Sequence, residues 1–239
     1  MDNAGYLAIT RQSGLLMEMQ AVANNVANMS TNGFRREGVV FAEFVKALPA
    51  EGGSISMAEA RARRTDFTQG ALQKTDGPLD VAIEGDGFFM VQTPGGQRLT
   101  RNGGFMQDAA GALVTADGYP VLDPGGAPVF IPQGAGRPVI SEDGVVSADG
   151  RPIGALAVVT VDDPRNMTRE SSTLFSTEEP TRPAEGRVFQ GYVESGNVSP
   201  VEELSRLVEV QRAYELGQKM LDREDERIRS AIRQLGGAG

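Results

Sequence analysis

The sequence predicts an α+β protein with helices at both ends of the chain and a central antiparallel β domain. Three features indicate this: two apolar stripes, one near each terminus, and short turn-punctuated segments between them. A seven-residue apolar repeat forms a seam that needs a partner, so the terminal helices are expected to pack in a coiled-coil-like layer. The C-terminal repeat is Leu207, Tyr214, Leu221, Ile228 and Leu235, with Leu204, Gln211, Gln218 and Ile232 as companions. The N-terminal stripe is Ile9, Leu16, Met19, Ala23 and Val26.

The N-terminal region, residues 1–46, is expected to hold one long helix and the segment that leaves it. The helix is predicted from about Tyr6 to Asn28, and Gly33 follows it as a residue suited to the left-handed conformation that ends helices. Val39 to Phe44 is compatible with either a strand or a short helix.

Residues 47–66 are predicted to be a linker, because they contain Pro49, Gly52, Gly53 and Ser54. The basic residues from Arg61 to Arg64 then fit a solvated surface or a contact with an acidic neighbouring subunit.

The segment 67–196 has the pattern of a β-rich domain. Leu79 to Ile83 alternates in hydropathy, and turn signals such as Asp117-Gly118 and Asp143-Gly144 separate short apolar runs. Turns at this spacing predict an antiparallel sandwich or barrel-like domain. Gly85-x-Gly87 lacks the third glycine and the following helix of a phosphate loop, so it is interpreted as a hairpin turn.

The C-terminal region, residues 197–239, has a well-marked helix start. Ser199 is the expected N-cap, Pro200 takes the first helical position, and Glu202 completes a capping box. The helix is expected to run from Pro200 to Leu235, a length of about 54 Å, and to stop at Gly236-Gly237.

Charge is distributed unevenly along the chain. The net charge is −9, and residues 47–196 contain 12 basic and 20 acidic residues, so almost all of the excess lies in the middle. Near-neutral ends can pack together, whereas a chain without a basic face is not expected to bind nucleic acid.

The chain contains neither cysteine nor histidine. This excludes disulfides, cysteine nucleophiles, Ser–His triads and the usual zinc sites. Asp80, Glu84 and Asp86 could pair for acid–base chemistry, but nothing else marks a cleft and they are interpreted as surface acids. We therefore expect no catalytic, cofactor-binding or metal-binding residues and no enzymatic activity.

No segment approaches the roughly 20 apolar residues of a membrane helix. The N-terminal stripe is interrupted by Glu18, Gln20 and Asn24, unlike a signal peptide. The protein is thus expected not to be inserted in a membrane and, if it is exported, to leave the cytoplasm without cleavage.

Three asparagines, Asn24, Asn25 and Asn28, fall within the first apolar stripe although asparagine is a poor helix former. They fit either a frayed helix end or buried amides that fix the register of a helix interface. We favour the second interpretation and include all three in the predicted subunit interface, together with the two apolar stripes.

Several blocks in order along the chain resemble the bacterial flagellar rod and hook proteins. The N-terminal blocks are Ala23-Asn24-Asn25-Val26-Ala27-Asn28 and Gly33-Phe34-Arg35. The central blocks are Leu79-Asp80-Val81-Ala82-Ile83, Gly85-Asp86-Gly87-Phe88-Phe89 and Gly118-Tyr119-Pro120-Val121-Leu122. The C-terminal blocks are Asn197-Val198-Ser199-Pro200-Val201-Glu202-Glu203-Leu204 and Gln211-Arg212-Ala213-Tyr214-Glu215.

The resemblance implies a structural subunit of the flagellar basal body, and the opening residues and short 47–66 segment favour the proximal rod. Such a subunit would pass through the flagellar export apparatus, polymerise in the periplasm with copies of itself and other rod and hook proteins, and place its terminal helices in a tube layer. An alternative is another axial member of the family, from the distal rod or hook. A different class, a secreted carbohydrate-binding or adhesive β domain on a helical stalk, would need clustered aromatics, but the chain has no tryptophan.

Overall fold

A computed structural model describes residues 2–47 and 54–236, which form two compact units. The helix unit comprises residues 2–27, 37–47, 54–65 and 199–236, and the β unit comprises residues 28–36 and 66–198. The two ends of the chain therefore belong to the same unit. The predicted α+β class with a central antiparallel β domain is confirmed.

The helix unit contains two helices and a pair of antiparallel strands. Its elements are α1 (Asp2–Ala27), β1 (Glu37–Ala47), β2 (Ser54–Thr65) and α2 (Pro200–Gly236). As predicted, α2 begins at Pro200, and the Glu203 N–H donates to the Ser199 carbonyl at 3.0 Å. Its 37 residues give a length of about 55 Å. Gly33, beyond α1, has the expected left-handed conformation with φ +68°.

The expected linker is wrong for residues 54–65, which form β2 and pair with β1 along its whole length. The register runs from Glu37 opposite Thr65 to Ala47 opposite Ser54, with a bulge between Val40 and Phe41. The Pro- and Gly-rich composition that suggested a linker lies mainly at 48–53, outside the described residues. Polar and apolar residues nearly alternate along 54–65, as in a strand.

The β unit is built from many short strands. They are β3 (Leu72–Lys74), β4 (Val81–Glu84), β5 (Phe88–Thr93), β6 (Gly96–Thr100), β7 (Met106–Gln107), β8 (Leu113–Val114), β9 (Val139–Ile140), β10 (Val145–Ala148), β11 (Arg151–Ala155), β12 (Val158–Thr160), β13 (Thr168–Arg169), β14 (Leu174–Ser176), β15 (Arg182–Pro183), β16 (Arg187–Gln190) and β17 (Tyr192–Glu194). A six-stranded sheet has the order β13-β14-β6-β5-β12-β15, and β11-β10-β9 form a second sheet. The remaining pairs are β16-β4, β17-β3 and β7-β8, and a 3₁₀ helix spans Pro164–Asn166.

Strand β5 separates two apolar cores. Phe89 and Val91 point into one core, whereas Phe88 and Met90 point into the other, as the two-residue period of a strand requires. Phe89 is fully buried and meets the Phe105 ring edge-on at 5.2 Å. A strand buried on both faces gives the β unit a substantial interior of its own.

The Gly85–Gly87 turn differs from the expected hairpin. Strand β4, before the turn, pairs with β16, whereas β5, after it, pairs with β6 and β12. The turn therefore connects strands of different sheets.

Candidate assembly site

Helices α1 and α2 lie side by side in opposite directions. The Gln12 Nε2 donates to the Tyr214 carbonyl at 3.0 Å, and six residues further along α1 the Glu18 Oε1 accepts from Arg206 Nε at 2.7 Å. Near the end of α1, the Asn25 amide reaches Glu203 at 3.1 Å. The partners of successive α1 residues therefore lie progressively earlier in α2, as in an antiparallel pair, and polar side chains fix this register.

The inward row of α2 follows alternating steps of four and three residues. It consists of Glu203, Leu207, Val210, Tyr214, Gly217 and Leu221, all buried or half-buried. Leu207, Tyr214 and Leu221 belong to the predicted repeat. Its predicted companions do not share their burial, because Leu204 is 50% exposed and Gln211 and Gln218 are also exposed.

Gly217 lies where the Gln12 side chain of α1 packs against α2. A Cβ placed there would lie 2.3 Å from Gln12 Nε2, so the glycine makes room for that side chain. This contact uses no large apolar side chain on either helix.

Asn25 is the asparagine of the cluster that the fold buries completely. Its Nδ2 donates to the Glu37 carbonyl at 2.8 Å, and its Oδ1 accepts from the Glu37 N–H at 2.8 Å. Together with the bond to Glu203, these contacts join the end of α1, the start of β1 and the first turn of α2. Asn24 and Asn28 are only half-buried.

The residues predicted for the subunit interface differ widely in exposure. The exposed ones are Leu16, Ala23, Leu204, Gln211, Ile228 and Ile232. The half-buried ones are Met19, Asn24, Val26, Asn28, Leu207, Tyr214 and Leu221. Asn25 is enclosed within its own chain, and the side chains of Ile9 and Leu235 are outside the described residues. Their role in contacts between subunits stays a prediction.

Several large apolar side chains on the helices were not singled out from the sequence. Those exposed are Met17, Val201, Val208, Leu216 and Met220. They lie outside the seven-residue repeat, so the repeat gave no signal for them; a count of apolar residues facing away from the inward row would have found them. Leu216 and Met220, one turn apart, are 67% and 66% exposed.

A buried cluster of charged residues lies within the β unit. Glu194 is fully buried and pairs with Arg35 at 2.5 Å and with Arg101 at 3.2 Å. Burial lowers the pKa of Arg101 to about 10, although the Glu194 carboxylate opposes that shift. Arg101 therefore remains charged at neutral pH. Sequence reasoning did not identify these residues as a cluster.

Two of the three acids weighed for catalysis, Asp80 and Glu84, have structural partners. Asp80 Oδ2 accepts a hydrogen bond from the Thr75 hydroxyl at 2.6 Å, and the exposed Glu84 pairs with Arg187 at 2.6 Å. Within the described ranges, no group of three or more acidic residues is placed to hold a metal ion. Neither described helix is long and apolar enough to span a bilayer.

Comparison with known proteins places these features in a family. Residues 82–148 match the family described as flagellar hook protein FlgE/F/G D1 domain, and residues 190–234 match flagellar basal body rod FlgEFG protein C-terminal. The flagellar basal-body rod protein FlgF of Caulobacter vibrioides is 39% identical over 99% of both chains, and that of Rhizobium meliloti is 34% identical over the full length of both. The rod protein FlgG of Buchnera aphidicola is 34% identical over 89% of this chain and 92% of its own. This chain belongs to the FlgE/F/G family of flagellar rod and hook proteins.

Proposed function

We propose that the chain is a structural subunit of the proximal flagellar basal-body rod and that it polymerises through the outward faces of α1 and α2. Members of this family are structural proteins of the basal body and not enzymes. The partners would be copies of the same chain and other rod and hook proteins, packed so that their terminal helices form a tube layer.

The observation that carries this proposal is the apolar surface that remains on the outward side of the helices. The inward row of α2 already covers Leu207 and Val210, yet leucine and methionine side chains such as Leu216 and Met220 still face outward. Large contiguous apolar surface on a folded chain marks a site of association. Burial of these side chains against neighbouring subunits would stabilise a polymer at roughly 25 cal/mol per Å².

The route to the rod is proposed to be the flagellar export apparatus, which the chain would pass unfolded on its way to the periplasm. Support comes from the absence of cysteine, which leaves no covalent cross-link to oppose passage through a narrow channel.

The test places a charge on the outward face. Leu204→Lys and Leu216→Lys are expressed separately in cells that lack the wild-type copy, and basal bodies are counted by electron microscopy together with swimming speed. We expect both variants to lose rods and swimming, because an unpaired charge buried between apolar helices is strongly unfavourable and the cost recurs in every subunit. Circular dichroism of the purified variants should match the wild type, since both side chains are exposed.

The matched control is Val139→Lys, the same kind of change at a 59% exposed position in the β unit. It should assemble and swim normally. Normal basal bodies in the Leu216→Lys and Leu204→Lys strains would refute assembly through these faces.

A further inference from the structure

Three stretches of chain meet inside the β unit although they are far apart in sequence. We call them the leading segment, residues 28–36, the returning segment, residues 66–72, and the trailing segment, residues 192–198. The Gly33 N–H of the leading segment donates to the Glu194 carbonyl at 2.7 Å, and the Ser195 N–H donates to the Ala71 carbonyl at 2.9 Å. The trailing segment therefore lies between the other two and is bonded to both.

The Glu194 carboxylate holds the three segments at one point. Its Oε1 accepts from Arg35 Nη1 at 2.5 Å and from the Gly70 N–H at 2.8 Å, and its Oε2 accepts from Arg101 Nη1 at 3.2 Å. Gly70 allows this approach because a Cβ there would lie 1.9 Å from the Ser195 carbonyl oxygen. One side chain thus bonds to the leading and returning segments and to the strand edge that carries Arg101.

The position of Arg35 depends on this carboxylate. Arg35 is fully buried, and within the described residues its Nε and Nη2 have no hydrogen-bond partner. A guanidinium that is only partly satisfied is stable in an interior only while its counter-charge is present. Without the Glu194 charge, the guanidinium would be driven toward water and would take the leading segment with it.

We propose that Glu194 is a latch that closes the leading segment onto an already folded β unit and that opens without unfolding the two apolar cores. Arg35 and Glu194 are 159 residues apart, so the contact closes a very long loop, and in this proposal it forms after the two cores.

The latch is tested by amide hydrogen exchange on the purified full-length chain, so the result does not depend on rod assembly. In Glu194→Gln we expect the latch amides of Gly33, Gly70 and Ser195 to exchange at least about tenfold faster, because charged hydrogen bonds are lost locally. The core amides of Leu113, Val121 and Val129, which bond within the β unit, should change less than about twofold.

The matched control is Glu84→Gln, which removes an exposed ion pair with Arg187 in the same unit and should leave both sets of amides unchanged. Equal acceleration of latch and core amides in Glu194→Gln would overturn the proposal, and so would unchanged latch amides. If that variant does not fold, Arg35→Lys, which keeps the positive charge on a shorter side chain, is judged by the same criterion.

A second experiment follows the refolding of the wild type by pulse labelling. The latch amides should become protected after the core amides, and simultaneous or earlier protection of the latch amides would also overturn the proposal.

Discussion

The two units are stabilised in different ways, although one chain builds both. The β unit buries Phe88 and Phe89 in separate apolar cores on the two faces of one strand. The helix unit buries a short apolar row that includes Val210 and fixes its register with polar contacts such as that of Gln12, but it leaves further large apolar side chains such as Leu216 exposed. Packing of an apolar face supplies most of the stability of a helix. We therefore expect the β unit to be stable on its own and the helix unit to gain stability when neighbours cover its exposed apolar side chains.

The largest expected effect comes from opening a β-unit core. Phe89→Ala removes a fully buried ring and should lower the free energy of unfolding by about 3–5 kcal/mol, because a cavity remains where the ring packed. Chemical denaturation followed by circular dichroism measures the loss. Phe130→Ala, at a 48% exposed ring, should cost much less than the core variant. Similar losses for the two variants would contradict a core-dominated β unit.

A smaller effect is expected from removing the amide that joins three parts of the helix unit. Asn25→Ala deletes two bonds to the Glu37 backbone and one to Glu203, and should cost about 1–3 kcal/mol, because buried polar groups lose partners. Exchange rates of the α1 and α2 amides report the change. The control is Gln20→Ala. The exposed Gln20 side chain accepts a hydrogen bond from Arg63 at 3.2 Å, and its removal should change the free energy of unfolding by less than about 0.5 kcal/mol. An Asn25 variant as protected as the control would show that the amide does not fix the helix register.

Features encoded locally were predictable from the sequence. The capping residues around Ser199 placed the start of α2, and the seven-residue repeat identified Leu207, Tyr214 and Leu221 as one row. The companion positions such as Leu204 do not lie on the inward row, because a residue three before and a residue three after each repeat position both fit a heptad. The sequence alone does not say which of these two sides meets the other helix.

Features that depend on distant partners were harder to predict. The sequence marked the asparagine cluster, but only the fold shows that Asn25, rather than Asn24 or Asn28, is enclosed by β1 and α2. The Arg35–Glu194 pair spans 159 residues and leaves no periodic or local signal. Strand β2 was missed because proline and glycine at positions 49, 52 and 53 dominated the interpretation of the whole segment.

A double-mutant cycle tests whether the polar contact at Gly217 sets the helix spacing. Alanine in place of a helical glycine gains about 1 kcal/mol of intrinsic helix propensity. In the wild type, that gain should be largely cancelled, because the new Cβ would lie 2.3 Å from Gln12 Nε2 and displace it from the Tyr214 carbonyl. In a Gln12→Ala background, Gly217→Ala should show most of the gain in thermal unfolding. Equal effects in the two backgrounds would mean that the two residues are not coupled.

The smallest effect is expected at the surface of the β unit, where Asp66 accepts hydrogen bonds from the Thr68 hydroxyl and from its N–H. The side-chain bond is the largest cause that lowers the pKa of Asp66, and burial opposes it. Because the folded pKa lies below the unfolded value, this stabilisation is present above the ordinary Asp pKa of about 3.9 and is lost as the pH falls through the folded pKa.

Thr68→Val removes the hydroxyl but keeps the backbone donor, so the pKa of Asp66 should rise part of the way toward its ordinary value in an NMR titration. Stability at neutral pH should hardly change, since Asp66 is exposed and water screens the charge. An unshifted pKa in the variant would show that the backbone N–H, rather than the hydroxyl, is the main cause.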